Sequence, residues 1–150
     1  MILRRARRED VPAIVALLQE DVLGAAREVP KGSPLPPSYH AAFEEIDRDP
    51  RCELVVAEED GAVVGTMHLT VLAHLSSKGA KSLQLENVHV AASSRSRGLG
   101  ARMIAWAVAR ARREGCARVQ LTTHKSRKDA HRFYERLGFI ASHEGMKLAL

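Results

Sequence analysis

Aromatic residues are scarce in this chain of 150 residues, with one Trp, two Tyr and three Phe. Single-stranded nucleic acid is commonly gripped by base stacking on aromatic platforms, so a reader of that kind has little to work with here. Cysteine is scarcer still. Cys52 and Cys116 stand far apart and match neither a CxxC nor a zinc spacing, which predicts two reduced thiols rather than a disulfide framework or a metal site. No apolar run approaches the roughly 18 residues of a membrane span. The basic opening "MILRRARRED" is not followed by an unbroken apolar stretch, so it does not read as a signal peptide. These absences lead to the expectation of a cytoplasmic protein without a membrane partner.

What is present is ordinary for a folded domain: 45% hydrophobic and 27% charged residues, with a formal charge of +5. That composition disfavours disorder, and the length suits one domain spanning residues 1–150. The positive charge suits a polyanionic partner, which composition alone leaves open among nucleic acid, an anionic membrane and a phosphorylated small molecule.

The hydrophobic pattern predicts a strand near Ile2–Ala6. A helix follows, with Val11, Ile14, Val15 and Leu18 on one face; Asp10 is its expected N-cap and Pro12 lies in its first turn. Four of the six prolines then fall in "GAAREVPKGSPLPPS", a long loop, before a second helix near Tyr39–Arg48. Two β-rich runs flank Asp60-Gly61, a strong hairpin signal, and a further strand "SLQLENVHVA" follows. After "SSRSRGLGARM" comes a long helix whose apolar face holds Met103, Ile104, Ala107, Val108 and Ala111, closed by Gly115. A strand "ARVQLTT", a helix "RKDAHRFYERLG" and a final pair of short strands complete the order β-α-α-β-β-β-α-β-α-β-β, a mixed sheet with helices packed on it.

"SSRSRGLGARM" sits between an entering strand and a departing helix. Helix N-termini carry backbone N–H groups without partners, and the helix dipole favours negative charge there. Gly98 and Gly100 let the backbone wrap an anion closely, and Arg95, Arg97 and Arg102 add positive charge. The spacing is not GxxxxGK[ST], and no full GxGxxG with a downstream acid is present, which disfavours both a nucleoside-triphosphatase and a dinucleotide fold.

Arg95-x-x-Gly98-x-Gly100, preceded by "LENVHV" and followed farther on by "AHRFYERLGF", resembles the GNAT superfamily of acetyl-CoA-dependent N-acetyltransferases. Ala130, Tyr134, Glu135, Gly138 and Phe139 match the later motif of that family. The resemblance implies an α/β (α+β) fold: a mostly antiparallel central sheet of about six to seven strands, splayed at its central strands, with about four helices. It implies an acyltransferase that binds acetyl-CoA and acetylates a primary amine, most naturally on a small molecule. An acceptor amine on a protein or peptide, and a non-catalytic acyl-CoA-binding regulatory domain, are the alternatives. Family members often dimerise, which extends to this chain as the expectation of a homodimer. Within the superfamily, "RKDAHRFYERLGF", "SHEGMKLAL" and the "AHL" of the third strand resemble the aminoalkylphosphonate N-acetyltransferase group.

Carried over residue by residue, the resemblance assigns the coenzyme A pyrophosphate to Arg95, Ser96, Arg97, Gly98, Leu99, Gly100 and Ala101. It gives the pantetheine arm to main-chain groups of Val88, His89 and Val90, and further cofactor contacts to Ala130 and Phe133. Tyr134 corresponds to the tyrosine near the cofactor sulfur, where a phenol can protonate a departing thiolate. Seven positions earlier the family often has Asn; here it is Arg127, suited instead to a cofactor phosphate or to bound substrate. An amine must shed a proton to attack, and Glu86, on the strand leading into the loop, is the expected base, directly or through water. Strand alternation places His89 on the face opposite Glu86 and Val88. His68 and His74 suit an acceptor pocket, and their spacing fits no recognised metal motif, so no metal is expected. Arg27, Glu28, Lys31 and Tyr39 in and beside the Pro-rich loop are the expected acceptor contacts, with Arg27 or Lys31 suited to an anionic group.

Overall fold

The computed structural model describes residues 1–21 and 23–150. Val22, at the end of the stretch read as the first helix, lies outside the described residues. The chain divides into two compact units, Met1–Gln120 and Leu121–Leu150.

The first unit is built on a sheet of five strands among the described residues: β1 (Ile2–Arg5), β2 (Cys52–Glu59), β3 (Ala62–Ala73), β4 (Lys81–Val90) and β5 (Cys116–Leu121), in spatial order β1-β2-β3-β4-β5. The first three pairings are antiparallel. Helices α1 (Val11–Gln19) and α2 (Pro37–Arg48) follow β1, a single turn α3 (Ser76–Gly79) joins β3 to β4, and α4 (Leu99–Arg113) follows β4. In α3 both Ser77 and Lys78 have left-handed backbone, so it is a tight turn rather than a helix that could propagate.

Both faces of the central strands are covered, which is why Val55, Val56 and Ala57 are all fully buried in one run. On one face Val56 joins Ala6, Val11, Ile14, Val15 and Phe43, so α1 and α2 lie there. On the other, Val55, Met67, Leu69, Leu83 and Leu85 meet the α4 residues Met103, Ile104, Ala107 and Ala111. Close approach requires Gly65: a Cβ there would stand 3.0 Å from Met103 Sδ and 3.2 Å from the His89 carbonyl oxygen. The Asp60-Gly61 turn has both residues at positive φ, 52° and 78°, as a two-residue hairpin of this hand requires.

Asp10 is the N-cap residue of α1, as expected, but its side chain does not bond that helix. It closes the preceding 3-10 turn (Arg8–Asp10), accepting from the Arg7 backbone N–H at 2.7 Å and from both Arg4 terminal nitrogens at 2.7 and 2.9 Å. The Arg4 guanidinium holds the Asp10 carboxyl below the usual carboxylate range, outweighing burial, which pushes it up. The Pro-rich loop contains one 3-10 turn, Ala25–Arg27, and α2 starts at Pro37 rather than Tyr39, since proline is well tolerated in a first helical turn.

The second unit holds α5 (Lys128–Arg136), stopped before Gly138 at φ 88°. The expected final pair of strands is absent among the described residues, so the sheet has five strands rather than six to seven, and there are five helices, counting the single turn, rather than four. Residues 139–150 are irregular, and Met146, Leu148 and Leu150 are exposed. Their alternation has the period of a strand, but without a ladder partner that period does not make one.

Candidate active site

The loop between β4 and α4 is shaped by two residues in the left-handed region, Ser96 at φ 62° and Gly98 at φ 75°. Gly98 is the N-cap of α4, and the space beside its Cα is open. The first backbone bond of α4 runs from the Arg102 N–H to the Gly98 carbonyl at 3.1 Å. The backbone N–H groups of Ser96 through Ala101 therefore donate to no acceptor among the described residues, although the chain has already committed its backbone to holding them together. Consecutive unpaired amides with left-handed residues among them, at the positive end of a helix dipole, form an anion-binding concavity.

The arginines expected to flank this loop divide into two kinds. Arg97 grips Glu59 at the end of β2 with two bonds, 2.9 and 3.0 Å, and so is largely neutralised. Arg95 donates from Nε to the Val90 carbonyl at 3.1 Å, which ties the loop to the end of β4 while leaving its terminal nitrogens to other partners. A small cavity beside the loop is lined by Met1, Glu59, Ser94, Arg97, Leu99 and Arg102. Just before the loop, the Ala92 N–H donates to the Glu20 carboxylate at 2.9 Å, an anchor that local sequence pattern does not reveal.

The strand that feeds the loop carries a bulge. Thr66 pairs with His89 and His68 with Glu86, so Asn87 and Val88 together oppose Met67. Asn87 takes the extra residue's strain at φ 50°, a conformation Asn tolerates better than most. Directly paired residues share a face, and Thr66 and His68 are two apart on β3. Glu86 and His89 thus lie on one face of the sheet, the face of Val56 and α1. The expectation that simple alternation separates His89 from Glu86 is corrected: the bulge resets the alternation, and Val88 is the residue displaced to the other side.

This face carries a polar strip. Thr66 is fully buried and donates from Oγ1 to the Val55 carbonyl at 3.1 Å; Ser82, also fully buried, bonds His74 Nε2 at 2.7 Å. His74 is therefore a satisfied structural histidine. Gln84 Oε1 accepts from Gln120 Nε2 at 3.0 Å. Glu86 is exposed, and His68, opposite it, is half-buried with an Nε2 that is fully buried and lacks a hydrogen-bond partner. Burial pushes the His68 imidazole below its ordinary pKa, and the nearby Glu86 carboxylate opposes that shift.

Of the expected acceptor contacts, Glu28 and Tyr39 are occupied with each other. The Tyr39 hydroxyl donates to Glu28 Oε2 at 2.7 Å and accepts from the Val29 N–H, while Gln19 Nε2 donates to the Val29 carbonyl at 2.6 Å. These bonds hold the Pro-rich loop and leave Arg27 and Lys31 exposed.

In the second unit, Tyr134 packs edge-on between Phe133 and Phe139, with ring centroids 5.0 and 5.5 Å away. Burial pushes its phenol above the ordinary value, and the Arg127 charge pulls the other way. A raised pKa keeps the proton on the oxygen at neutral pH, as an acid requires. Arg127 is the N-cap of α5, and Ala130 lies in that helix's first turn.

The model of the acetyltransferase (GNAT) family matches residues 15–139, spanning both units. The chain is a GNAT-family acetyltransferase. Over 149 residues this GNAT acetyltransferase is 31% identical to an aminoalkylphosphonate N-acetyltransferase of Salmonella typhimurium, the match covering 95% of this chain and 96% of that one. Among solved structures it is similar to a transcriptional regulator from Bacillus halodurans, with 42% identity, a TM-score of 0.95 and 99% coverage of each chain. An acetyltransferase from Trypanosoma brucei shares the fold at 26% identity and a TM-score of 0.79, again over 99% of each chain. Membership makes the GNAT acetyltransferase an acetyl-CoA-dependent acyltransferase. The residues present fit that donor: the amides of Ser96–Ala101 and the open space at Gly98 suit a pyrophosphate. Among the described residues no helix is long and apolar enough to cross a membrane, and no three ligand-type side chains gather as a metal site.

Proposed function

We propose that this GNAT acetyltransferase transfers an acetyl group from acetyl-CoA directly to the primary amine of a small molecule. The observation that carries this reading is the row of unpaired amides from Ser96 to Ala101 at the start of α4. In this reading those amides bind the pyrophosphate, with Arg95 and Arg102 adding charge, and main-chain groups of Val88, His89 and Val90 bind the pantetheine arm. Arg127, Ala130 and Phe133 complete the cofactor contacts. Bound acetyl-CoA supplies the thioester that is the acetyl donor.

The chain's own part is proton management. Glu86, exposed on the α1 face of β4, draws a proton from the acceptor's ammonium, directly or through water. Tyr134 holds a proton for the departing thiolate, a role supported by its family motif and by the burial that keeps its phenol protonated. An acceptor bearing an anionic group as well as an amine suits the exposed Arg27 and Lys31, and the Salmonella relative acts on amines of that kind. A cytoplasmic enzyme, in a homodimer, is the setting proposed.

The test is release of free CoA thiol from acetyl-CoA with a panel of aminoalkylphosphonates, polyamines, amino acids, aminoglycosides and basic peptides. Fastest release with a small amine supports the reading, and fastest release with peptides replaces the small-molecule acceptor with a protein one. The regulator of Bacillus halodurans favours a second reading, an acyl-CoA-responsive regulatory role. Tight acetyl-CoA binding with no release from any amine would select it.

A further inference from the structure

We infer that a ladder of side chains running from β5 to β4, Arg118–Gln120–Gln84, recognises an oxyanion carried by the acceptor while the acceptor's ammonium lies at Glu86. The inference rests on the acetyl-transfer reading and deepens it, naming the residues that select a zwitterionic amine. Gln84 and Glu86 are two apart on β4 and, paired with Thr70 and His68, stand on one face of the sheet. Gln120 Nε2 donates to Gln84 Oε1 at 3.0 Å, which brings Gln120 to that face, and Arg118 Nε donates to Gln120 Oε1 at 3.0 Å. Glu86 and Arg118 are exposed, and Gln84 and Gln120 are half-buried, so this stretch of the sheet is open to a ligand.

The polarity of the ladder is fixed by its arginine. A guanidinium carries N–H donors and no acceptor, so Gln120 must turn its carbonyl to Arg118 and its amide nitrogen to Gln84, which answers with its own carbonyl. Both side-chain carbonyls are thus engaged inside the ladder. Gln84 spends one N–H on the Leu85 carbonyl at 3.4 Å and keeps the other. What faces outward is a row of donors: the remaining amide N–H groups of Gln84 and Gln120, and the terminal nitrogens of Arg118, which donate to no acceptor among the described residues. Such a row, ending in a guanidinium, is matched by the accepting oxygens of a carboxylate or phosphonate.

Glu86 and Arg118 mark opposite ends of this strip. Lys81, at the start of β4, donates to the carbonyl of Glu114, just before β5, and Gln84 meets Gln120 farther along both strands, so the two run the same way. Arg118 therefore lies beside the β4 residues that precede Gln84, and Glu86 follows it. From the rise along a strand and the spacing between strands, the Glu86 and Gln120 positions stand roughly 8 Å apart. An ammonium and an oxyanion joined by a short flexible chain satisfy both ends. A plain amine leaves the donor row to water, and a diamine meets like charge at Arg118. Arg27 and Lys31 sit on a loop, whereas the ladder is built on strands and presents its donors at fixed positions.

The experiment measures CoA release by the full chain with ω-amino carboxylates and aminoalkylphosphonates, each against the plain alkylamine of the same length. The wild type is expected to prefer the anionic member of each pair. Arg118→Gln is expected to cut that preference, the ratio of the two kcat/KM values, by about tenfold or more, through KM rather than kcat. Gln120→Glu, which sets a carboxylate against the guanidinium, should cut it as well, and Arg118→Lys should keep part of it. An unchanged ratio in Arg118→Gln overturns the inference, as does a wild type that turns over amines without preferring the anionic ones. A second arm follows the side-chain amide signals of Gln84 and Gln120 by 15N NMR while 3-aminopropylphosphonate is added to the CoA-bound protein. Both signals are expected to shift in the wild type, and signals that stay in place overturn the ladder as the oxyanion site. Absence of CoA release from every amine would instead count against the acetyl-transfer reading, and the NMR arm would still decide the ladder. It would decide it too should Arg118→Gln fail to fold, since it is read on the native glutamines.

Discussion

The loop at the start of α4 and the polar strip on the α1 face of β3 and β4 are adjacent along the chain but built on opposite plans. In the loop the groups on offer are unpaired backbone amides, with no side chain at Gly98 or Gly100. In the strip the polar groups are side chains, and their arrangement depends on which residue faces which across the sheet. A main-chain site can be read from glycines and a helix start, because any residue supplies an amide. A side-chain site on a sheet cannot, because one inserted residue moves every later side chain to the other face.

The comparison can be broken most severely at Gly98. A tryptophan there must adopt a left-handed backbone and fills the open space beside the amides, so Gly98→Trp is expected to abolish acetyl-CoA binding in calorimetry. Retained affinity would remove the loop as the pyrophosphate site. A second variant lies outside both regions and serves as their control. Tyr134→Phe should lower kcat by roughly 100-fold while leaving acetyl-CoA affinity nearly unchanged, and unchanged turnover across pH would remove it as the acid.

The strip is attacked through its bulge. Asn87→Val places a β-branched residue at φ 50°, which costs about 1–2 kcal/mol and lowers the melting temperature, while Asn87→Gly should be tolerated. If the bulge sets the strip, Asn87→Val also lowers kcat/KM with little change in acetyl-CoA affinity. Equal stability of the two variants would show that the bulge is not held by this residue. The smallest effect belongs to the loop's outer charge. Glu59→Gln frees Arg97, and acetyl-CoA should bind a fewfold more tightly at low salt, since an exposed ion pair is worth up to about 1 kcal/mol. Weaker binding would mean that the pair serves to position the loop.

Much of the fold was legible because its signals are local. The stripe Val11, Ile14, Val15, the Asp60-Gly61 turn and the glycines after α4 and α5 each mark an element by the geometry of a few neighbouring residues. The misreadings share the opposite character. "GMKLAL" alternates like a strand yet has no ladder partner among the described residues, and Asp10, although the N-cap residue of α1 as expected, spends its carboxylate on Arg4 and the Arg7 amide rather than on the helix. Glu28 and Tyr39 look available to a ligand yet bond each other.

By itself the sequence determined the order of the main elements, the glycine-marked start of α4 and the family, since all three depend on periodicity, glycine placement and short motifs. Only the tertiary structure decided the face on which His89 stands, the pairing of His68 with Glu86 and the capture of Arg97 by Glu59. Those depend on strand register and on ion pairs between residues distant in the chain, which arise from folding and have no signature in any single stretch.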